Sequence, residues 1–128
     1  NGSASLWVLE ELLPYIDAMN IDLKGFTESY YRKLGGDLET VKDFIRRAAQ
    51  GRHVELTTLI VPGENDSEAR MEQEARWIAS ISPEIPLHVT RFFPQYRMEN
   101  RRATEVSVVC RLRDIAGKYL KYVYTGNC

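Results

Sequence analysis

A chain of 128 residues that is 44% hydrophobic is long enough to bury a sizeable core as one domain. Its 17 Lys and Arg nearly cancel its 18 Asp and Glu, which argues against a bulk charge drawn to nucleic acid or an anionic membrane. No apolar run approaches the roughly 18–20 residues of a membrane span and no secretory signal opens the chain, so a cytoplasmic protein is expected.

In chain order, Leu6, Leu9, Leu13 and Ile16 recur at helical spacing, with Ser3 or Ser5 as N-cap and Pro14 weakening the last turn. From Met19 to Phe26 the period changes to two. Met19, Ile21 and Leu23 fall on one side of a strand and Asn20, Asp22 and Lys24 on the other. Thr27 caps a short helix that ends at Gly35-Gly36, and Leu38, Val41, Ile45 and Ala48 mark a longer one closed by Gly51. His53 to Val61 reads as a second strand stopped by Pro62-Gly63.

Asn65 with Glu68 three positions on has the form of a capping box, and Met71, Ala75, Ile78 and Ala79 supply the next helix's apolar face. A third strand is expected over Leu87 to Phe93. Thr104 is the expected N-cap of a last helix lined by Val108, Leu112, Ile115 and Tyr119, and Tyr122-Val123-Tyr124 forms a fourth strand. This alternation of helix and strand predicts an α/β fold with parallel strands and right-handed crossovers.

Strands covered by helices on both faces are normally apolar on both, so polar strand faces are informative. Three occur: Asn20, Asp22 and Lys24; Glu55 and Thr57; His88 and Thr90. A partial barrel with a ligand in its lumen accommodates such faces, and its active site falls at the strands' C-terminal ends, where Lys24, Pro62-Gly63 and Arg91 to Tyr96 lie. Plainer readings stand beside this one. Asp22 and Lys24 suit a surface ion pair, His88 an internally bonded histidine, Arg91 a surface salt bridge and Phe92-Phe93 the core. Arg46-Arg47 and Arg101-Arg102 suit solvated helix ends rather than a nucleic-acid surface. Cys110, within a helical pattern, and Cys128, the last residue, form neither a disulfide framework nor a metal-ligand spacing.

Four segments in order carry a resemblance: Asn20-Ile-Asp22-Leu-Lys24-Gly25; Leu59-Ile-Val-Pro62-Gly63 with Asn65-Asp66; His88-Val-Thr-Arg91-Phe-Phe-Pro94-Gln-Tyr96-Arg-Met98; and Tyr124-Thr-Gly-Asn127. Together they resemble the radical S-adenosylmethionine component of the AmmeMemoRadiSam system, a group similar to the activating enzymes of pyruvate formate-lyase. The resemblance implies the C-terminal half of a partial (β/α) TIM-type barrel over residues 1–128. Its missing first half would carry the Cys-x3-Cys-x2-Cys loop of a 4Fe-4S cluster, so this chain supplies no iron–sulfur ligand. Asn1-Gly2 resembles the end of the Thr-Asn-Gly segment that follows the preceding strand, and the start at Asn1 likewise suggests a piece of a longer protein, inactive alone.

In that group an Asp-x-Lys strand motif contacts the cofactor's ribose and methionyl carboxylate, which Asp22 and Lys24 match; an ammonium on a carboxylate makes a charge-assisted hydrogen bond. Asp22 also matches a position that helps hold a monovalent cation. Asn20, Thr57, His88, Arg91 and Tyr96 complete the implied cofactor-binding set. Departures occur at Thr57, where activating enzymes often have arginine, and at Tyr96, where they have histidine, which leaves the substrate open between a small molecule and a protein. Members commonly continue past Thr-Gly-Asn into a Cys-x2-Cys ribbon, which here stops at Cys128. The implied partners are S-adenosylmethionine, that substrate and an electron donor such as flavodoxin or ferredoxin. Two other functions compete: a Schiff-base lyase or aldolase with Lys24 as nucleophile, and a non-catalytic module that docks a missing half through its strand edges.

Overall fold

The computed structural model describes residues 18–94 and 102–128. The helix expected around Leu6 to Ile16, the Asn1-Gly2 segment, Tyr96 and Arg101 lie outside the described residues. Strand β1 (Ala18–Asp22), helices α1 (Glu28–Lys33) and α2 (Leu38–Ala48), β2 (His53–Ile60), α3 (Glu68–Ile81), β3 (Leu87–Arg91), α4 (Val106–Ala116) and β4 (Val123–Gly126) follow in sequence. The four strands form one parallel sheet in the order β1-β2-β3-β4, the α/β alternation expected from sequence.

Each strand lies beside its predecessor, so each crossover carries its helices over the same face of the sheet. That face is apolar. Ile21, Leu56, Leu87 and Val89 are fully buried and pack with Val41, Phe44 and Ile45 of α2, Ala75 and Ile78 of α3, and Val109 and Leu112 of α4. Along β2 the alternation is complete, with Val54, Leu56, Thr58 and Ile60 buried between half-buried or exposed His53, Glu55, Thr57 and Leu59. The opposite face is open among the described residues. The polar strand faces expected from sequence lie on this side of the sheet.

Helix ends follow local chemistry at most positions. The Thr27 hydroxyl and the Asp37 carboxylate accept the Tyr30 and Thr40 N–H groups and so start α1 and α2. Gly63 completes the turn after β2 with φ of 76°, a conformation that favours glycine. Two expected caps are corrected. Ser67, not Asn65, caps α3 by accepting from Arg70 N–H, and Glu105 rather than Thr104 precedes α4.

Both displaced residues instead join separate strand ends. Asn65 Oδ1 accepts from Val61 N–H at 2.7 Å, while its Nδ2 donates to the carbonyls of Lys24 at 2.7 Å and Leu59 at 2.8 Å. The Thr104 hydroxyl donates to the Ile60 carbonyl, and Phe92 N–H donates to the Thr104 hydroxyl at 3.3 Å. The strands also end earlier than expected, at Asp22, Ile60 and Arg91, although Leu23 N–H still donates to the Thr57 carbonyl at 2.9 Å. β4 is shifted towards the C-terminus, to Val123–Gly126. In α4 the fully buried ridge is Val109, Leu112 and Ala116, with Val108 and Ile115 half-buried on its flank and Tyr119 half-buried just past its end. The small Ala116 side chain lets the helix approach the sheet along that ridge.

Asn65 is 9% exposed, so its replacement takes away the partners of one half-buried N–H and two carbonyls. Asn65→Ala is expected to lower unfolding free energy by about 2–4 kcal/mol in urea denaturation.

Candidate functional site

The open face carries its polar side chains in register. Asn20 pairs with Glu55, and Asp22 pairs with Thr57, which pairs with His88, which pairs with Tyr124. Hydrogen bonds join the rows: the Thr57 hydroxyl donates to Asn20 Oδ1 at 3.0 Å, and His88 Nε2 lies 2.6 Å from Glu55 Oε1. His53 Nε2 lies 3.0 Å from Glu55 Oε2. With the carboxylate as acceptor, both imidazoles donate through Nε2–H, and they hold the Glu55 carboxyl below its ordinary range. The His88 ring sits beside Tyr124 with centroids 5.4 Å apart.

Lys24 lies two residues past the end of β1. Its ammonium is 3.8 Å from Asp22 Oδ2, and both side chains are at least half exposed. It borders a crevice of about 420 Å³ at the strands' C-terminal ends, with Leu34, Leu59, Val61 and Phe92 as apolar walls and Glu64 at the rim. Lys33 Nζ bonds both Glu64 carboxylate oxygens, at 2.7 and 2.9 Å, and ties the end of α1 to the loop after β2. A lysine lining a largely apolar crevice suits a ligand with a carboxylate and a less polar body.

Thus Asn20, Asp22, Thr57 and His88 share one surface, and Lys24 extends it to the crevice. Arg91 is placed apart. It follows the parity of Leu87 and Val89, its Nε donates to the Thr104 carbonyl at 2.6 Å, and its guanidinium lies 4.4 Å from the Phe93 ring centroid. Phe92 is buried and Phe93 exposed. Among the described residues no group of three or more His, Cys, Asp or Glu side chains is arranged to hold a metal ion. Cys110 is a half-buried free thiol and Cys128 an exposed one.

The side chains beneath Lys24 escaped the sequence reading. Its N–H donates to the phenol oxygen of Tyr31 at 2.8 Å, and burial pushes that phenol's pKa upward, which keeps it neutral. The Thr58 hydroxyl reaches the Leu23 carbonyl at 2.6 Å and Glu74 Oε2 at 2.8 Å. Glu74 is 2% exposed. Burial raises its carboxyl from an ordinary 4.5 to about 8, so it is chiefly the neutral acid at pH 7. A signal for it was available: with Met71, Ala75 and Ile78 it completes the 71, 74, 75, 78 spacing of a buried helix stripe.

No family model matches the chain. An uncharacterized protein of Methanocaldococcus jannaschii is 36% identical over 115 residues, which is 88% of this chain and 34% of that protein, so the chain spans about a third of its relative. The crystal structure of a domain of pyruvate-formate lyase-activating enzyme from Bacteroides vulgatus superposes with a TM-score of 0.79 at 19% identity, covering 94% of this chain and 74% of that one. The chain therefore shares the fold of that solved domain, with parallel strands alternating with helices.

Because folding raises the Glu74 pKa, its stabilisation is complete below about 4.5 and is lost as pH rises through about 8. Glu55, shifted downward, acts in the opposite sense and only in more acidic solution, where its stabilisation is lost as pH falls. Urea unfolding between pH 5 and 8 should therefore show stability falling by up to about 1 kcal/mol per pH unit. Glu74→Gln should flatten that slope.

Proposed function

We propose that this chain is the S-adenosylmethionine-binding portion of a radical enzyme of the AmmeMemoRadiSam type, related to pyruvate formate-lyase activating enzymes and working in the cytoplasm. The observation that carries the reading is Lys24: it lines the crevice while its backbone is held on both sides by Tyr31 and Asn65. A methionyl carboxylate is the natural counter-charge for its ammonium. Asp22 offers acceptor oxygens to the ribose hydroxyls, and the same carboxylate suits a monovalent cation beside the cofactor. Asn20, Thr57 and His88 supply a hydrogen-bonding floor, and Arg91 and Tyr96 belong to the proposed set on the resemblance alone.

The donor set fits the cofactor and does not fit the 4Fe-4S cluster, since two cysteines cannot supply three thiolates. The cluster's ligands belong to sequence upstream of this chain, and the chain alone should not turn over. Bound beside a reduced cluster, the cofactor supplies radical chemistry for hydrogen abstraction. This chain's residues bind and orient it: Lys24 neutralises its carboxylate, Asp22 fixes its sugar, and the apolar crevice wall excludes water. The reductant would be a flavodoxin or ferredoxin, and the substrate a small molecule or a protein. A Schiff-base role for Lys24 is disfavoured by its exposure, since half of the side chain meets water rather than an enclosing apolar pocket.

Calorimetric titration with S-adenosylmethionine tests the reading, using a longer polypeptide that includes the upstream cysteine loop and a reconstituted cluster. Lys24→Ala is expected to weaken binding by about 10-fold or more, the worth of one charge-assisted contact. Unchanged affinity would remove Lys24 from the pocket. Absence of both cluster and binding in the longer polypeptide would remove the radical reading altogether.

A further inference from the structure

The end of β1 is held by side chains from three directions. Thr58 of β2 donates to the Leu23 carbonyl, Tyr31 of α1 accepts from Lys24 N–H, and Asn65 of the β2–α3 loop donates to the Lys24 carbonyl. The first of these bonds has a third participant, because Glu74 Oε2 also lies within 2.8 Å of the Thr58 hydroxyl. A threonine hydroxyl has one proton to give. When Thr58 gives it to Leu23, the contact with Glu74 must be made by a proton on the carboxyl. When Glu74 is ionised it can only accept, and it competes with the Leu23 carbonyl for the Thr58 proton. Both short contacts therefore coexist only with Glu74 as the acid.

The surroundings agree with that state. Among the described residues no cation pairs with Glu74. The titratable and charged groups that face it include the neutral Tyr31 phenol from α1, Glu64 from the β2–α3 loop and Arg70 one turn earlier on α3, the last two lining the same small crevice beside Gly25 and Asn65. Asp22 and Lys24 lie on the far side of the strand end, half exposed to water.

We propose that Glu74 is a positioning residue for Lys24, donating its carboxyl proton to the Thr58 hydroxyl so that Thr58 can hold the Leu23 carbonyl and with it the strand end that carries the lysine. The inference rests on the role given to Lys24 above. Loss of the Glu74 proton to solvent turns the Thr58 hydroxyl toward the carboxylate and releases the Leu23 carbonyl, which loosens the Leu23-Lys24 peptide. The device is a latch closed by one proton, set behind the sheet and out of contact with any ligand on its open face.

The test is NMR of the ¹³C,¹⁵N-labelled chain between pH 5 and 10, with no cofactor present. The Glu74 carboxyl and Leu23 carbonyl ¹³C signals are expected to titrate with one shared midpoint near pH 8. Amide exchange at Lys24, corrected for its intrinsic pH dependence, should rise by about 10-fold across the same range as the local structure opens. Glu74→Gln, whose amide donates to Thr58 at every pH, should keep the Leu23 signal and the corrected Lys24 exchange flat at their low-pH values. Thr58→Val should show fast Lys24 exchange at low pH already. A Leu23 signal that titrates equally in Glu74→Gln, or that stays flat while Glu74 titrates in the unsubstituted chain, would overturn the latch even if Thr58→Val does not fold. Because these readouts need no cofactor, failure of the latch and failure of the Lys24 binding reading appear in different experiments.

Discussion

The packing of the described helices on one face of a parallel sheet is the constraint from which the rest of this structure follows. Four strands in sequential order with same-handed crossovers place every described helix on one face, so each strand must be apolar at alternate positions and free to be polar between them. Ile21, Leu56, Leu87 and Val89 meet the first requirement. Asn20, Asp22, Thr57 and His88 occupy the positions it leaves free. Since register is parallel and side chains alternate with period two, those polar residues line up across strands without any loop having to bring them together.

What the ladder does not supply is order beyond its own end. A parallel strand that stops leaves carbonyls and N–H groups pointing at the crevice, where the chemistry of such folds collects. Here those groups are satisfied by side chains: Asn65 joins the segments after β1 and β2, Thr104 joins the ends of β2 and β3, and Thr58 with Tyr31 closes the end of β1. Each tie spans two elements, so an error in the packing of one helix would be felt at the strand ends. That coupling gives Lys24 a defined backbone position even though its side chain is half exposed.

Much of this was legible from periodicity and local punctuation. The alternation of Met19 to Lys24 and of His53 to Ile60, the Thr27 cap and the stop at Pro62-Gly63 are all local signals, and the structure keeps them. Asn65 and Thr104 were misread for one shared reason. A short polar side chain ahead of an apolar helix satisfies the local pattern of a cap, but a carbonyl from a distant strand competes for the same side chain, and burial makes that long-range bond the stronger claim. Glu74 was overlooked because a glutamate on a helix is read as solvated by default, although its spacing with Met71 and Ile78 places it inward. Arg91 shows the limit of grouping residues by their position at a strand end: parity sends its side chain to Thr104 and Phe93, away from the row that His88 belongs to.

Glu74 also shows how a cost can become a constraint. An ionised carboxylate at that depth with one hydroxyl partner would be expensive, and the surroundings move it to its neutral form instead. As an acid it changes from a pure acceptor to a donor, and this allows a single hydroxyl to satisfy the Leu23 carbonyl at the same time. A buried leucine at the same position would remove the cost, and it would also remove the dependence of the strand end on a proton. The acid therefore adds little that packing alone could not supply, and its distinctive contribution is the direction it imposes on one hydrogen bond beside Lys24.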